Sequence, residues 1–418
     1  LKIGKEAEPL NGSTTATHPA PPGVLKTDGA TPVFGPWPHF TAQDIAAVSG
    51  VLASGKVNYW TGSECREFER EYAGKLGVRH AIALSNGTVA LELALYALGV
   101  GPGDEAIVTP RSFIASASCA VMRGATPVFA DVDRDSQNMT AATIEAKITP
   151  RTRVIVAVHL AGWPCEMDPI LELARARGIA VVEDCAQAHG AFYKGRPAGS
   201  MGDVNAFSFC QDKIMTTGGE GGLLTTNDKD RWSKAWSFKD HGKSYAAVYH
   251  KQHPPGFRWL HEDFGTNWRM LELQGVLGRQ CLTHLDEWVK IRRRHAARLN
   301  AALWDEPAIR LTIPPPHVEH SYYKYYAFVR PEALRSGWNR DRILDQVSRA
   351  GVPCLAGSCS EMYREKAFAN RGMQVQTLPV AAELGETSIM LPVHPTLSAE
   401  AMEYTAETLR KVLREATR

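Results

Sequence analysis

The chain has 418 residues, 44% of them hydrophobic, and a formal net charge of +2. That length exceeds one small core and fits two packed units, while near-neutral charge announces no polyanion-binding surface and so argues against a nucleic-acid partner. Eight scattered cysteines without a CxxC pair read as reduced thiols with no metal site. No apolar run is long enough to span a membrane and no signal peptide opens the chain, so no membrane contact and a cytoplasmic location are expected.

In chain order, residues 1–40 are rich in Pro, Thr, Ala and Gly and read as an extended arm. A helical pattern begins at Thr41, and Gly55 to Gly62 form an irregular segment. The apolar run His80 to Leu84 is a strand, followed by Ser85-Asn86-Gly87-Thr88 and a helical run from Val89. The start of that helix offers unpaired N–H groups and the positive end of its dipole beside hydroxyl and amide side chains. That is a phosphate cradle; the same residues taken alone also read as an ordinary N-cap. Further strands are expected at Glu105–Thr109, Pro127–Ala130, Arg153–Val158, Ala180–Glu183, Val204–Phe209 and Gly222–Thr226. Helical patterns between the first five predict right-handed βαβ crossovers and a mostly parallel sheet. The last two are joined by a glycine-rich loop, so one strand is expected to run antiparallel.

Two positions in this stretch carry chemistry. Asp184 closes the strand at Val181-Val182-Glu183, where ligands of open α/β sheets bind. A buried carboxylate there needs a positive partner, and a protonated pyridine nitrogen is one; Gln187 just beyond would donate to the ring's phenolic oxygen. Alone, Asp184 would equally cap the next helix. Lys213 lies in SFCQDKIMTTGGEGG, Ser208 to Gly222, between a strand and glycines that admit close approach of a bulky ligand. A partly buried lysine with a cationic neighbour favours the neutral, nucleophilic amine, which a Schiff base then locks to an aldehyde. Alone, it would more often be a solvated loop residue.

Beyond this region, Met270 to about Ala302 predicts a long helix, on which Ile291-Arg292-Arg293-Arg294-His295 reads as a solvated face. Pro314-Pro315-Pro316 is a turn, Tyr322 to Arg330 a strand, Arg340 to Ala350 a helix ending at Gly351, and Ala399 to Arg414 a terminal amphipathic helix. The expected division is an arm over 1–40, a large cofactor-binding domain over 41–302 and a small α+β domain over 303–418.

Phosphate cradle, ring-nitrogen acid and Schiff-base lysine occur in one order. With GPGDEAIVTP (Gly101 to Pro110), GATPVFADVD (Gly124 to Asp133), EDCAQAHGA (Glu183 to Ala191) and GTNWRM (Gly265 to Met270), the chain resembles the fold-type I pyridoxal-phosphate enzymes, and within them the DegT/StrS family of sugar aminotransferases. The resemblance runs from about Phe40 to the C-terminus. It implies an α/β fold with a mainly parallel seven-stranded sheet flanked by helices. It implies phosphate contacts from Asn86, Gly87, Thr88 and Ser208, and Phe113 stacked on the pyridine face. Asn267 would reach the neighbouring subunit's cofactor in a homodimer with shared active sites. His189 and His159 are weaker candidates for the pocket. Lys213 would hold the cofactor and then move the proton as base and acid, with Asp184 keeping the ring nitrogen protonated. The cofactor would alternate between pyridoxal and pyridoxamine phosphate in ping-pong fashion, taking the amino group from L-glutamate and giving it to a keto or aldehydo sugar.

Two regions depart from the family pattern: Gly351 to Tyr363, where many members carry a His-Tyr-Pro segment, and the long stretch from Lys213 to Asn267 with Lys239-Asp240-His241-Gly242 and an aromatic run to Trp259. The default acceptor is a nucleotide-linked hexose, with an oxidised 3-deoxy-octulosonate or an inosose as rivals. A pyridoxal-phosphate sugar dehydratase would replace Lys213 by histidine. A non-catalytic regulator would add a DNA-binding domain.

Overall fold

The structure, a computed structural model, describes residues 32–256, 259–373 and 375–418. The arm expected over 1–40 lies outside the described residues up to residue 31. Seven strands form one sheet: β1 (His80–Leu84), β2 (Glu105–Val108), β3 (Thr126–Phe129), β4 (Thr152–Val158), β5 (Ala180–Asp184), β6 (Val204–Ser208) and β7 (Gly222–Thr226). Their order is β1-β7-β6-β5-β4-β2-β3. The pairs from β6 to β3 are parallel, and β7 runs antiparallel to both β6 and β1. The expected strands are all present, with ends moved by about a residue, and the antiparallel one is β7.

The strands are short apolar runs buried on both faces, as a sheet covered by helices requires. Successive residues point to opposite faces, and the cores divide accordingly. Ile82, Leu84, Ala206 and Leu224 join one cluster with Ala90 and Leu91 of α3 (Gly87–Ala97) and Ala117 of α4 (Ala115–Met122). Ala81, Ala83, Phe207 and Leu223 join a second with Phe68 and Tyr72 of the helix Glu64–Leu76.

A smaller antiparallel sheet, in the order β8-β9-β10, is built from β8 (Ile309–Leu311), β9 (Tyr325–Val329) and β10 (Ser388–Leu391). Ile343 and Val347 of α6 (Arg340–Arg349) and Met402, Leu409 and Leu413 of α7 (Ala399–Ala416) pack in its core. The long helix α5 (Glu272–Leu303) serves both cores. Its first half sends Cys281, Leu285 and Val289 to the second cluster, and its last turns send Ala296, Leu299 and Leu303 to the small-sheet core. Only β9 of the small sheet was expected from the sequence. Among the described residues, no helix is long and apolar enough to cross a membrane.

Candidate active site

The site is assembled at the carboxyl ends of β5 and β6, where the β1–α3 turn and the lysine loop meet them. The turn is first of all an N-cap: Asn86 Oδ1 accepts the Val89 N–H at 3.0 Å. Gly87 and Thr88 occupy the first helical positions, where backbone N–H groups have no intrahelical acceptor. Two glycines let the strands and this turn close up. A Cβ on Gly87 would lie 2.5 Å from Ser208 Cβ, and a Cβ on Gly222 would lie 2.1 Å from the Asn86 carbonyl oxygen. Ser208, at the end of β6, therefore sits against the start of α3. Its carbonyl accepts from His189 Nε2 at 2.8 Å, while His189 Nδ1 takes the Tyr72 hydroxyl at 2.7 Å. Burial pushes His189 down to about 4, so the ring is neutral and braces Ser208 from beneath. It does not line the pocket as a titrating group.

Asp184 is buried at the end of β5. Oδ2 accepts from Ser116 Oγ at 2.7 Å and Oδ1 from the Ala186 N–H at 3.1 Å. Burial pushes its carboxyl up; the Ser116 hydrogen bond, the Ala186 amide and the Lys213 charge oppose the rise. The neighbouring carboxylate, Glu183, is fastened to the scaffold. It accepts from the Gly199, Met201 and Gly202 amides at 3.0, 2.7 and 2.7 Å and from His159 Nε2 at 2.9 Å. Burial would raise Glu183, and these donors outweigh it and hold the carboxyl low. His159 Nδ1 accepts the Cys165 N–H at 3.0 Å, which fixes the ring proton on Nε2 and makes His159 a strut, not a pocket residue. Gln187 is also held: its Oε1 accepts the Ala161 N–H at 2.7 Å, which leaves its NH2 as a donor.

Lys213 lies in the loop between β6 and β7. Its ammonium is 4.9 Å from the Tyr323 ring centroid and 3.9 Å from Asp212 Oδ1. The Tyr323 hydroxyl donates to Asp212 Oδ2, and Lys324 Nζ lies 3.7 Å from the same oxygen. Two lysines thus share one carboxylate across one aromatic ring, which supplies the cationic neighbour that the sequence called for. The backbone is pinned from the N-terminal side, where Trp37 Nε1 donates to the Lys213 carbonyl at 2.8 Å. Trp37 is packed edge-on against Trp288 at 5.1 Å and capped by Arg292 at 5.1 Å. Arg292 is buried and donates to the Tyr323 carbonyl at 3.1 Å; burial pushes it down to about 9.

A family model for the DegT/DnrJ/EryC1/StrS aminotransferases matches residues 38–410. The chain belongs to that family. GDP-perosamine synthase of Escherichia coli O157:H7 is 35% identical over 374 residues, which covers 90% of this chain and 96% of the relative. An aminotransferase from Psychrobacter cryohalolentis, solved by X-ray diffraction, is 52% identical with a TM-score of 0.90, over 92% of this chain and 99% of that one. A Streptococcus pneumoniae protein solved in a PLP form is 27% identical with a TM-score of 0.81, over 90% of this chain and 97% of the other.

Family members use pyridoxal phosphate, and the residues present fit it: a cradle that a Cβ would fill, a buried acid in need of a cation, and a lysine within electrostatic reach of that acid. Of the family positions, Asn86 and Gly87 pack against Gly222 and Ser208, the loop of Lys213 starts from Ser208, and Asp184, three residues before Gln187, lies within electrostatic reach of Lys213. Thr88 is exposed beside them. Phe113 is 66% exposed, so its ring is not part of the core, and it stands one turn before Ser116. Asn267 is exposed; its hydrogen bonds and pairing tie it to Arg269 and Asp240 instead of to Lys213 or Asp184. Sequence reasoning missed Trp37, Ser116, Asp212 and Tyr323. The first fell in a segment read as an arm, and the others carry no pattern of their own; only the adjacency of Asp212 to Lys213 offered a signal.

Proposed function

We propose that this transaminase uses pyridoxal phosphate to move an amino group from L-glutamate to a keto or aldehydo sugar, nucleotide-linked, in amino-sugar biosynthesis for lipopolysaccharide or a secondary metabolite. The observation that carries the reading is buried Asp184 at one sheet end, within electrostatic reach of Lys213 and beside a helix start backed by Ser208. When bound, the cofactor supplies an electron sink for the bonds at the donor's α-carbon. Lys213 would hold the cofactor aldehyde, and its amine would move the proton from the donor's α-carbon to the cofactor's C4′. Asp184 keeps the ring nitrogen protonated. The Gln187 NH2 donates to the ring's phenolic oxygen. Asn86, Gly87, Thr88 and Ser208 receive the phosphate, and the exposed Phe113 ring covers the pyridine face.

The nucleotide-linked acceptor is supported by the likeness to GDP-perosamine synthase. The working unit is a cytoplasmic homodimer whose two active sites are shared through Asn267. The apolar exposure of Phe264 and Leu271, three and four residues from it in the chain, 93% and 51%, supports an interface there. Residues 41–302 serve as the cofactor domain and 303–418 as the smaller one.

The test is a spectrum of the purified protein before and after L-glutamate, followed by a panel of nucleotide-linked keto sugars and a free oxidised octulosonate. Loss of the visible band with release of 2-oxoglutarate, then turnover on a nucleotide-linked sugar, is the expected result. Turnover on the free sugar alone contradicts the acceptor reading. Mixed dimers of Asn267→Ala and Lys213→Ala regain part of the activity if the sites are shared.

A further inference from the structure

The hydroxyls of Ser112 and Ser116 form a chain that ends on Asp184, and its direction is fixed by donor arithmetic. An ionised carboxylate only accepts, so Ser116 Oγ gives its proton to Asp184 Oδ2 at 2.7 Å. A hydroxyl has one proton to give, so the Ser116 oxygen accepts from Ser112 Oγ at 3.0 Å. Both serines are buried, at 3% and 2% exposure, which leaves bulk water little part in these bonds. The outer end is anchored: the Ser112 N–H donates to the Cys359 carbonyl at 3.1 Å, and the Met362 N–H donates to the Pro110 carbonyl at 2.9 Å. The segment that departs from the family pattern thus clamps the turn that carries the relay.

The titratable groups facing Asp184 come from four directions: Lys213 from the lysine loop, His159 from the end of β4, Cys119 from α4 and Cys185 from its own strand end. Burial keeps both thiols protonated, and the His159 ring is paired with Glu183, whose carboxylate holds its Nε2 proton. Of these groups, His159 is committed to Glu183, and Lys213 is committed when it holds the cofactor. Burial penalises the charged carboxylate, and a hydrogen bond donated to that form favours it. Besides the ring nitrogen itself, the Ser116 hydroxyl and the Ala186 amide are then the protein's donors left to keep Asp184 charged, with Ser116 the larger contributor.

We infer that Ser116, backed by Ser112, is a positioning residue that keeps Asp184 ionised and so sets how firmly this acid holds a proton on a ring nitrogen beside it. The inference rests on the pyridoxal-phosphate reading above. Without the donor, Asp184 drifts toward the neutral acid and the ring carries less positive charge. Fewer electrons are then drawn from the cofactor-bound nitrogen of Lys213, which keeps its proton to higher pH.

The experiment titrates the absorption spectrum of the holoenzyme against pH in the wild type, Ser116→Ala, Ser116→Thr and Ser112→Ala, with apoprotein melting temperatures alongside. In Ser116→Ala the midpoint of the visible band rises by roughly one pH unit. Ser112→Ala moves it the same way by less, and Ser116→Thr, which keeps the hydroxyl, restores the wild-type midpoint. A merely structural serine would lower the melting temperature and leave the midpoint in place, and that result in Ser116→Ala overturns the inference. Should Ser116→Ala not fold, an unchanged midpoint in Ser112→Ala overturns it as well. A wild-type protein without a visible band after incubation with pyridoxal phosphate overturns the cofactor reading itself, and the missing band distinguishes that outcome from failure of the relay.

Discussion

The carboxyl ends of β5 and β6 differ from the surface across from them in how their polar groups are held. At the strand ends, Asp184 has Ser116 and Ala186, Glu183 has three amides and His159, Gln187 has Ala161, and Ser208 rests on His189. Each of these is a strand-end or turn position fixed by the sheet. Across from them, the segment around Leu355 and Cys359 is exposed and touches the site through a few backbone bonds. The stretch from Trp259 to Leu271 exposes large apolar side chains. The half that carries the candidate catalytic residues is built from the scaffold, and the half proposed to meet the acceptor and a partner subunit is built from loops, where length and composition vary without cost to the core. Reaction type is therefore readable from this chain and acceptor identity is not.

Substitutions at the two halves break or sharpen that contrast. The largest effect belongs to Lys213→Ala: turnover falls by roughly a thousandfold or more and the visible band disappears. Steady-state kinetics that retain activity would sink the lysine's role. Asp184→Asn comes next. It keeps the shape and the acceptor for Ser116 but loses the charge, so kcat falls by roughly a hundredfold. The apoprotein melts at the same or a higher temperature, because burial disfavours the ionised acid it replaces. Differential scanning calorimetry beside kinetics separates the two.

Gly222→Ala tests the packing of the cradle. The new Cβ meets the Asn86 carbonyl at 2.1 Å, and the rearrangement costs about 1–3 kcal/mol with a matching loss of cofactor retention. Acid stability probes the buried brace. His189 is lowered from 6.5 to about 4 by burial, so the folded state binds its proton less readily than the unfolded chain. That contribution is intact above about pH 6.5 and is lost as pH falls toward 4. It amounts to about 3 kcal/mol at full loss. His320 and His394, lowered to about 3, add to the same trend. Urea melts of the apoprotein across this range check the sign, and His189→Gln flattens the slope. The smallest effect on stability is expected at Phe113→Ala, within about 0.5 kcal/mol because the ring is exposed. Its cofactor dissociates faster, by a factor matching the ~0.5–1.5 kcal/mol of an aromatic stack.

The legible parts of the fold were those with a repeating physical cause. Val154 to Val158 and Val181 to Glu183 are too short and too apolar for anything but buried strands, and the glycines after Lys213 left no room for a crossover helix, which made β7 antiparallel. The phosphate turn was legible because a strand, a capping Asn86 and a helix follow one another directly. β8 and β10 were not: Ile309–Leu311 and Ser388–Leu391 have too few residues for alternation to register. Trp37 was hidden in a Pro-rich run whose composition suggests no packing, yet it holds the Lys213 carbonyl from 176 residues away. Ser116 sits among small apolar residues and Ser112 between Arg111 and Phe113, and nothing in a serine announces that its hydroxyl will end on a carboxylate contributed by a distant strand.

The most direct test of the central claim is to incubate the protein with pyridoxal phosphate, reduce it with borohydride and map the modified peptide by mass spectrometry. The account predicts a single phosphopyridoxyl group on Lys213, lost in Lys213→Ala. A label on another lysine, or none on a protein that folds normally, would contradict it.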